Sequence, residues 1–307
     1  MEPLFRAAIE LGSSSAAILV LSPEGDLVLD EHRHFKSADG RTSLIGPARI
    51  EELSDGLSEL IELARLHQVP VWRIKSAANH SFSSSFNAGN ILKKIQNTLS
   101  LSVQLPRSEE EAQLLRLGAT CGFELNTTTG IIRICEHDIL ATLFNGDSCI
   151  EQSTYRVGPK GLCDDLFGEA PERYPPAKVA KMRLLCERKL SNFQFSTRPR
   201  QLIVTGLEAS ALASMDKALV HPSPIDVHGH KLSRATLRSI SDRLLSSSRS
   251  KRRALCPAYP TLVDSTYIAA FLLEMLCTQA QRDSFIVSSG DLRLGLLMHY
   301  PEDVDPQ

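Results

Sequence analysis

Of the residues in this chain that could do chemistry, the first is a short polar turn, Gly12-Ser13-Ser14-Ser15, preceded by Glu10 and flanked by apolar runs. A glycine lets backbone approach a ligand closely and aim its amides, and three hydroxyls add donors, so such a turn can cradle an anion. The same residues can equally form a plain β-hairpin turn. A second cluster is Ser108-Glu109-Glu110-Glu111. It has the pattern of a capping box, with Glu111 at the third helical position and three carboxylates on the positive end of the helix dipole. His32-Arg33-His34 and His228-Gly229-His230 have no partners at metal-ligand spacing, so solvated or capping histidines are expected there, and Cys135-Glu136-His137, read as adjacent strand residues, would point to alternate faces with no fourth ligand. The basic run Arg249–Arg253 is read either as a contact for phosphates or as a solvated connection between helices. It has no interleaved aromatics, and the chain has no Walker or Rossmann loop.

These groups must be held by the elements around them. Apolar runs at Arg6–Leu11, Ser15–Leu21 and Asp26–Asp30 predict a three-strand meander, with Ser22-Pro23-Glu24-Gly25 as hairpin chemistry. Helical spacing follows from Pro47, then a strand at Val71–Lys75, a helix from Asn87 to Leu99, a strand at Leu101–Leu105 and a helix Ser108–Gly118. A polar stretch with Asp39-Gly40 precedes the first of these helices. The pattern then restarts. Gly130–Cys135, Ile139–Phe144 and Ile150–Val157 form a second meander around the Asn145-Gly146 turn, followed by alternating helices and strands. A meander followed by helices, twice over, predicts duplicated α/β domains, here 1–122 and 123–307, with the last helix able to return to the first.

Composition narrows the classes. Hydrophobic residues are 42 %, charged residues 23 %, and the net charge is -2, which suits a soluble globular protein without a global field for nucleic acid or membranes. No apolar stretch reaches the roughly 18–20 residues of a membrane helix. The seven cysteines lie apart without a C-x-x-C pair and are expected to be reduced thiols in a cytoplasmic protein.

Several segments, in order from residue 6 to 298, resemble the Ppx/GppA (exopolyphosphatase and guanosine pentaphosphate phosphohydrolase) family. Ala8-Ile9-Glu10-Leu11-Gly12-Ser13-Ser14-Ser15 is similar to its first phosphate loop, A-I-D-x-G-S-N-S. Glu109-Glu110-Glu111-Ala112-Gln113-Leu114-Leu115 resembles its E-E-A-R-L segment, and Ser153–Gly158 its S-L-P-L-G strand. Val204-Thr205-Gly206 resembles the third glycine motif, and Leu292–Leu297 the closing L-R-E-G-L-L pattern. The resemblance implies two ribonuclease-H-like domains of the acetate kinase/Hsp70/actin (ASKHA) superfamily, facing a cleft. It also implies homodimers, Mg²⁺ dependence and hydrolysis of terminal phosphates from polyphosphate or pppGpp. Gly12, Ser13, Ser14, Ser15 and Gly206 would then bind phosphate, Glu10 would hold the metal and Glu111 would be the base.

The departures from the family pattern change this expectation. Glu10 replaces an aspartate, and Asn79 stands where T-S-A-L-R has its arginine. No arginine answers the family's R-L-G around Phe35–Asp39. The second loop, D-I-G-G-G-S, reads Arg133-Ile134-Cys135-Glu136-His137-Asp138, and G-G-T reads Gly206-Leu207-Glu208. An arginine fork cannot be replaced by an amide without loss of charge, and a carboxylate repels phosphate. The expectation is therefore a binding or regulatory protein with hydrolysis lost or strongly impaired, needing no cofactor, with Mg²⁺ only if activity is retained. Polyphosphate or a guanosine nucleotide is the expected partner, with no nucleic acid and no membrane. The alternatives are an active phosphohydrolase using Glu111, with Arg133 as replacement cation, and a structural dimer module with a closed cleft.

Overall fold

Period-two burial sets the first sheet. In β1 (Arg6–Leu11) and β2 (Ser15–Leu21), the side chains of Ala7, Ile9, Leu11, Ala16 and Ile18 enter one core, while Ala8, Leu19 and Leu21 enter another on the opposite face. The computed structural model describes residues 4–35, 44–125, 127–168 and 170–299, so Asp39-Gly40 lies outside the described residues. The third strand, β3 (Leu27–His34), is longer than its sequence suggested, as an edge strand with one wet face. Helix α1 (Pro47–Leu66) starts on proline and buries Leu53, Leu57, Leu60 and Ala64. The expected strand at Val71 is instead a 3-10 turn, with Trp72 exposed, and β4 runs Lys75–Ala78. Then come α2 (His80–Ser83), α3 (Ala88–Leu99) and α4 (Ser108–Ala119). The expected strand Leu101–Leu105 is reduced to a bridge, Ala77 to Gln104, closed off by Pro106, which has no N–H for a ladder.

The second unit repeats this plan. Strands β5 (Thr128–Ile134), β6 (Ile139–Asn145) and β7 (Ser148–Tyr155) form the meander, with Gly146 at positive φ in its turn. Helices α5 (Pro159–Phe167) and α6 (Pro176–Lys189) lead to β8 (Gln201–Thr205) and α7 (Leu207–Asp216). Next are α8 (Pro224–Val227), β9 (Lys231–Ser233), α9 (Arg234–Ser246), α10 (Arg249–Leu255), α11 (Thr266–Gln279) and β10 (Ser284–Ser288). Helix α11 is apolar almost all round and is buried accordingly. The last helix, α12 (Leu292–His299), packs on β1 and β4, so the first unit comprises Met1–Gly118 and Asp291–Gln307, and the second Ala119–Gly290.

The first sheet's order, β3-β2-β1-β4, recurs in the second as β7-β6-β5-β8, which continues into β10 and β9. In each, an antiparallel meander adds a parallel strand beside its first member, β4 beside β1 and β8 beside β5. This is the ribonuclease-H-like arrangement.

The basic run forms α10, in which Lys251 and Arg253 are exposed while Arg252, read as part of a solvated connection, is fully buried. Its guanidinium donates to the carbonyls of Glu172 and Ser247 at 3.1 Å and of Pro171 at 2.7 Å, pairs with Asp264 at 3.2 Å, and lies 4.3 Å from the Tyr174 ring centre. Four oxygens and an aromatic face replace its hydration shell.

Candidate functional site

In the first unit the strand periodicity puts Glu10 on the same face as Ala8, toward α4 and α12, beside Ala77 of β4. The turn after β1 is closed by the Gly12 amide, which donates to the Ser15 carbonyl at 2.8 Å. Ser13 donates its amide to Ser81 Oγ at 3.2 Å, and the Phe35 amide donates to the Ser14 carbonyl at 2.8 Å. Gly12 is needed for space, since a Cβ there would stand 3.2 Å from Asn79 Nδ2. The serine turn is thus a hairpin whose first two amides already have partners inside the unit.

Asn79 holds Glu10 directly and reaches the serine turn through Ser81. It follows β4, and its Nδ2 donates to Glu10 Oε1 at 2.6 Å. Its Oδ1 accepts the Phe82 amide at 3.3 Å and the Ser81 hydroxyl at 2.7 Å, which caps α2 and brings Ser81 to the turn. Glu111 reaches the same short helix from α4, accepting the His80 amide at 3.0 Å while only 3 % exposed. The capping box expected at Ser108 is therefore displaced by one residue. Glu110 Oε2 accepts the Arg107 amide at 2.8 Å, and Glu111 is left to bridge two segments 31 residues apart.

Sequence reasoning missed Arg49. Its Nη1 donates to the Ser13 carbonyl at 2.7 Å, which puts a buried guanidinium against the serine turn. The signal was present, because Arg49, Leu53, Leu57, Leu60 and Ala64 form one buried helical stripe, with the arginine at its head.

Mg²⁺ prefers a strict octahedral oxygen shell, usually with one or two carboxylates plus waters. Glu10 Oε1 is taken by the Asn79 amide, and among the described residues no three His, Cys, Asp or Glu side chains converge. An ion at Glu10 would have to displace that amide, so the residues present do not fit it.

In the second unit the turn after β5 is Cys135-Glu136-His137-Asp138, closed by Cys135 N–H to the Asp138 carbonyl at 2.9 Å. These residues lie in a turn and not along a strand. A tight backbone approach exists at this turn, but the glycines that permit it belong to the neighbouring segment. A Cβ on Gly158 would stand 2.3 Å from the Glu136 carbonyl oxygen, and one on Gly161 2.9 Å from His137 Nδ1. Gly161 also donates its amide to the Glu136 carbonyl at 3.0 Å.

Gly206 takes φ +120° at the start of α7, where a Cβ would stand 2.2 Å from the Ile134 carbonyl. Two residues on, Glu208 is 2 % exposed. Its carboxylate turns back to its own amide in the first turn of α7, the place an anion would take at a helix N-terminus. Burial first, then the charges of Glu136 and Asp138, push its pKa up to about 8, against the opposing effects of that amide and of Arg133. Oε1 has no hydrogen-bond partner among the described residues. Near neutral pH the group is mostly a neutral acid.

No protein-family model matches the sequence, and neither does any curated protein sequence. Solved structures do match. The Aquifex aeolicus member of the Ppx/GppA family is 19 % identical, with 97 % of each chain covered and a TM-score of 0.77. An exopolyphosphatase from Cytophaga hutchinsonii is 16 % identical over 97 % of each chain, with a TM-score of 0.80. An exopolyphosphatase-like protein is 15 % identical over 97 % of this chain and 98 % of its own, also at 0.80. Along nearly its whole length this chain has the fold of the Ppx/GppA proteins, built of two ribonuclease-H-like units.

Proposed function

We propose that this chain is a divergent Ppx/GppA-like protein that has lost, or strongly reduced, phosphoanhydride hydrolysis and acts by binding, as a regulatory protein. The observation that carries the reading is Glu208, a buried carboxyl folded onto the N-terminal amide of α7, where the family pattern has a glycine-rich phosphate turn. An incoming phosphoryl group would find the N-terminal amide of α7 already occupied by this buried side chain. The first unit keeps a more permissive surface, and a short polyphosphate or a guanosine nucleotide would be held at Gly12–Ser15 near Arg49. The protein would work in the cytoplasm as a homodimer and require no cofactor. With Mg²⁺ or Mn²⁺ present, the purified protein should release no phosphate from long-chain polyphosphate or pppGpp above a no-protein control. Turnover that Glu111→Gln abolishes would overturn the proposal.

One observation favours an active enzyme as the second reading. Arg49 supplies a cation at the first turn, and Glu111 is firmly held by the His80 amide, so a rearranged site would have a charge and a fixed carboxylate.

A further inference from the structure

The two units are joined covalently twice, after Gly118 and before Asp291. On the second unit's side both connections meet one side chain, His228. On the returning connection, the Ser289 amide donates to His228 Nδ1 at 3.3 Å, and Ser289 Oγ lies 3.3 Å from the same atom. On the outgoing connection, the ring is hydrogen-bonded to the backbone of Cys121, and its Nε2 lies 3.5 Å from where a Cβ on Gly122 would stand. Phe123 stacks on the imidazole with centroids 4.5 Å apart and planes 6° from parallel.

An Nδ1 that accepts an amide carries no proton, so the neutral ring has its proton on Nε2, the nitrogen beside the Cys121–Gly122 backbone. The segment bearing the ring is itself anchored. Gly229 donates to the Val287 carbonyl and Val287 to the His230 carbonyl, each at 2.8 Å, and His230 pairs with Asp216 at 2.8 Å. The returning connection is tied at a further point, where Thr205 Oγ1 donates to the Gly290 carbonyl at 2.7 Å, one residue before the Gly206 turn.

We infer that His228 is a proton-sensitive clasp, fastening both inter-unit connections while neutral and releasing the returning one when protonated. Protonation places a hydrogen on Nδ1, and the Ser289 amide then faces a donor where it had an acceptor, while the hydroxyl must turn from donor to acceptor. The titratable neighbours are few. Cys121 lies on the outgoing connection, His230 and Asp216 on the side that carries the ring, and Ser288–Gly290 has none. Burial lowers the His228 pKa below its ordinary 6.5, opposed by the hydrogen bond to the Cys121 backbone. Folding thus favours the neutral ring, and its contribution is complete above pH 6.5 and is lost as pH falls through the lower folded value.

Hydrogen–deuterium exchange on the full chain, corrected for intrinsic rates, tests this. Between pH of about 7.5 and about 5, peptides spanning 119–124 and 286–290 should lose about tenfold in protection, while β6–β7 peptides keep theirs. His228→Phe, which keeps the stack and neither hydrogen bond, should show the low protection at every pH. His228→Gln, which offers a donor and an acceptor without titrating, should hold protection down to the acid end. Constant wild-type protection across this range, or an unchanged pH dependence in His228→Phe, would overturn the inference.

Discussion

The turn after β1 and the turn after β5 occupy the same place in two copies of one sheet. Both close by the same bond, from Gly12 to Ser15 at 2.8 Å and from Cys135 to Asp138 at 2.9 Å. Their surroundings differ in sign and in room. The first is lined by serine, backed by the Arg49 guanidinium and served by Ser81 of a capped short helix. The second carries Glu136 and His137, is pressed against Gly158 and Gly161, and neighbours the buried Glu208. Backbone closeness has been kept in both, but in the second unit the glycines that permit it have moved from the turn to the helix packed on it. Similar main-chain geometry therefore carries serines and an arginine in one unit and acidic side chains in the other.

The contrast can be broken in graded steps. Gly158→Ala drives a Cβ into the backbone of Glu136 and should destabilise the second unit by about 3 kcal/mol or more, whereas Gly12→Ala makes only tight contacts, at 3.2 Å to Asn79 Nδ2 and 3.3 Å to the Ser15 carbonyl, and should cost about 1 kcal/mol. Denaturant melts of both variants measure the difference. Next is Glu208→Gln. The folded pKa of Glu208 is raised from 4.5 to about 8, so the stability tied to its proton is present below pH 4.5 and is lost as pH rises to about 8. The glutamine variant should be more stable than wild type at pH 8 by roughly 2–4 kcal/mol, with a flatter profile between these values. In the first unit, Asn79→Ala removes the α2 cap and leaves Glu10 without its amide, a loss of about 1–2 kcal/mol in the same melts. The smallest effect on stability is at the serines. Ser13→Ala and Ser14→Ala should shift it by under about 0.5 kcal/mol while weakening calorimetric binding of pyrophosphate or tripolyphosphate. Unchanged binding would place the ligand away from this turn.

Local periodicity made the duplicated meander legible, because Ile9, Leu11, Ile132 and Ile134 announce their strands by alternation and Asn145-Gly146 its hairpin. Elements whose pairing depends on the rest of the unit were less legible. Lys75–Ala78 takes over the strand placed at Val71, and the run from Leu101 keeps only a bridge. At the site, composition showed which groups were present but not which would meet. That Glu111 would reach the His80 amide, and that Arg49 and Arg252 would be buried, depends on contacts across 31 residues and more, beyond what periodicity encodes. The capping pattern at Ser108 fitted locally, and the helix settled its first carboxylate bond one residue earlier.

In the second unit a buried acid, Glu208, is folded onto the first turn of α7. A pH titration of the Glu208 carboxyl by carbon NMR, assigned with Glu208→Gln, reads this directly. A resonance titrating near pH 8 is the predicted result. Titration in the ordinary carboxylate range would mean a solvated, ionised group and an open turn, and would contradict it.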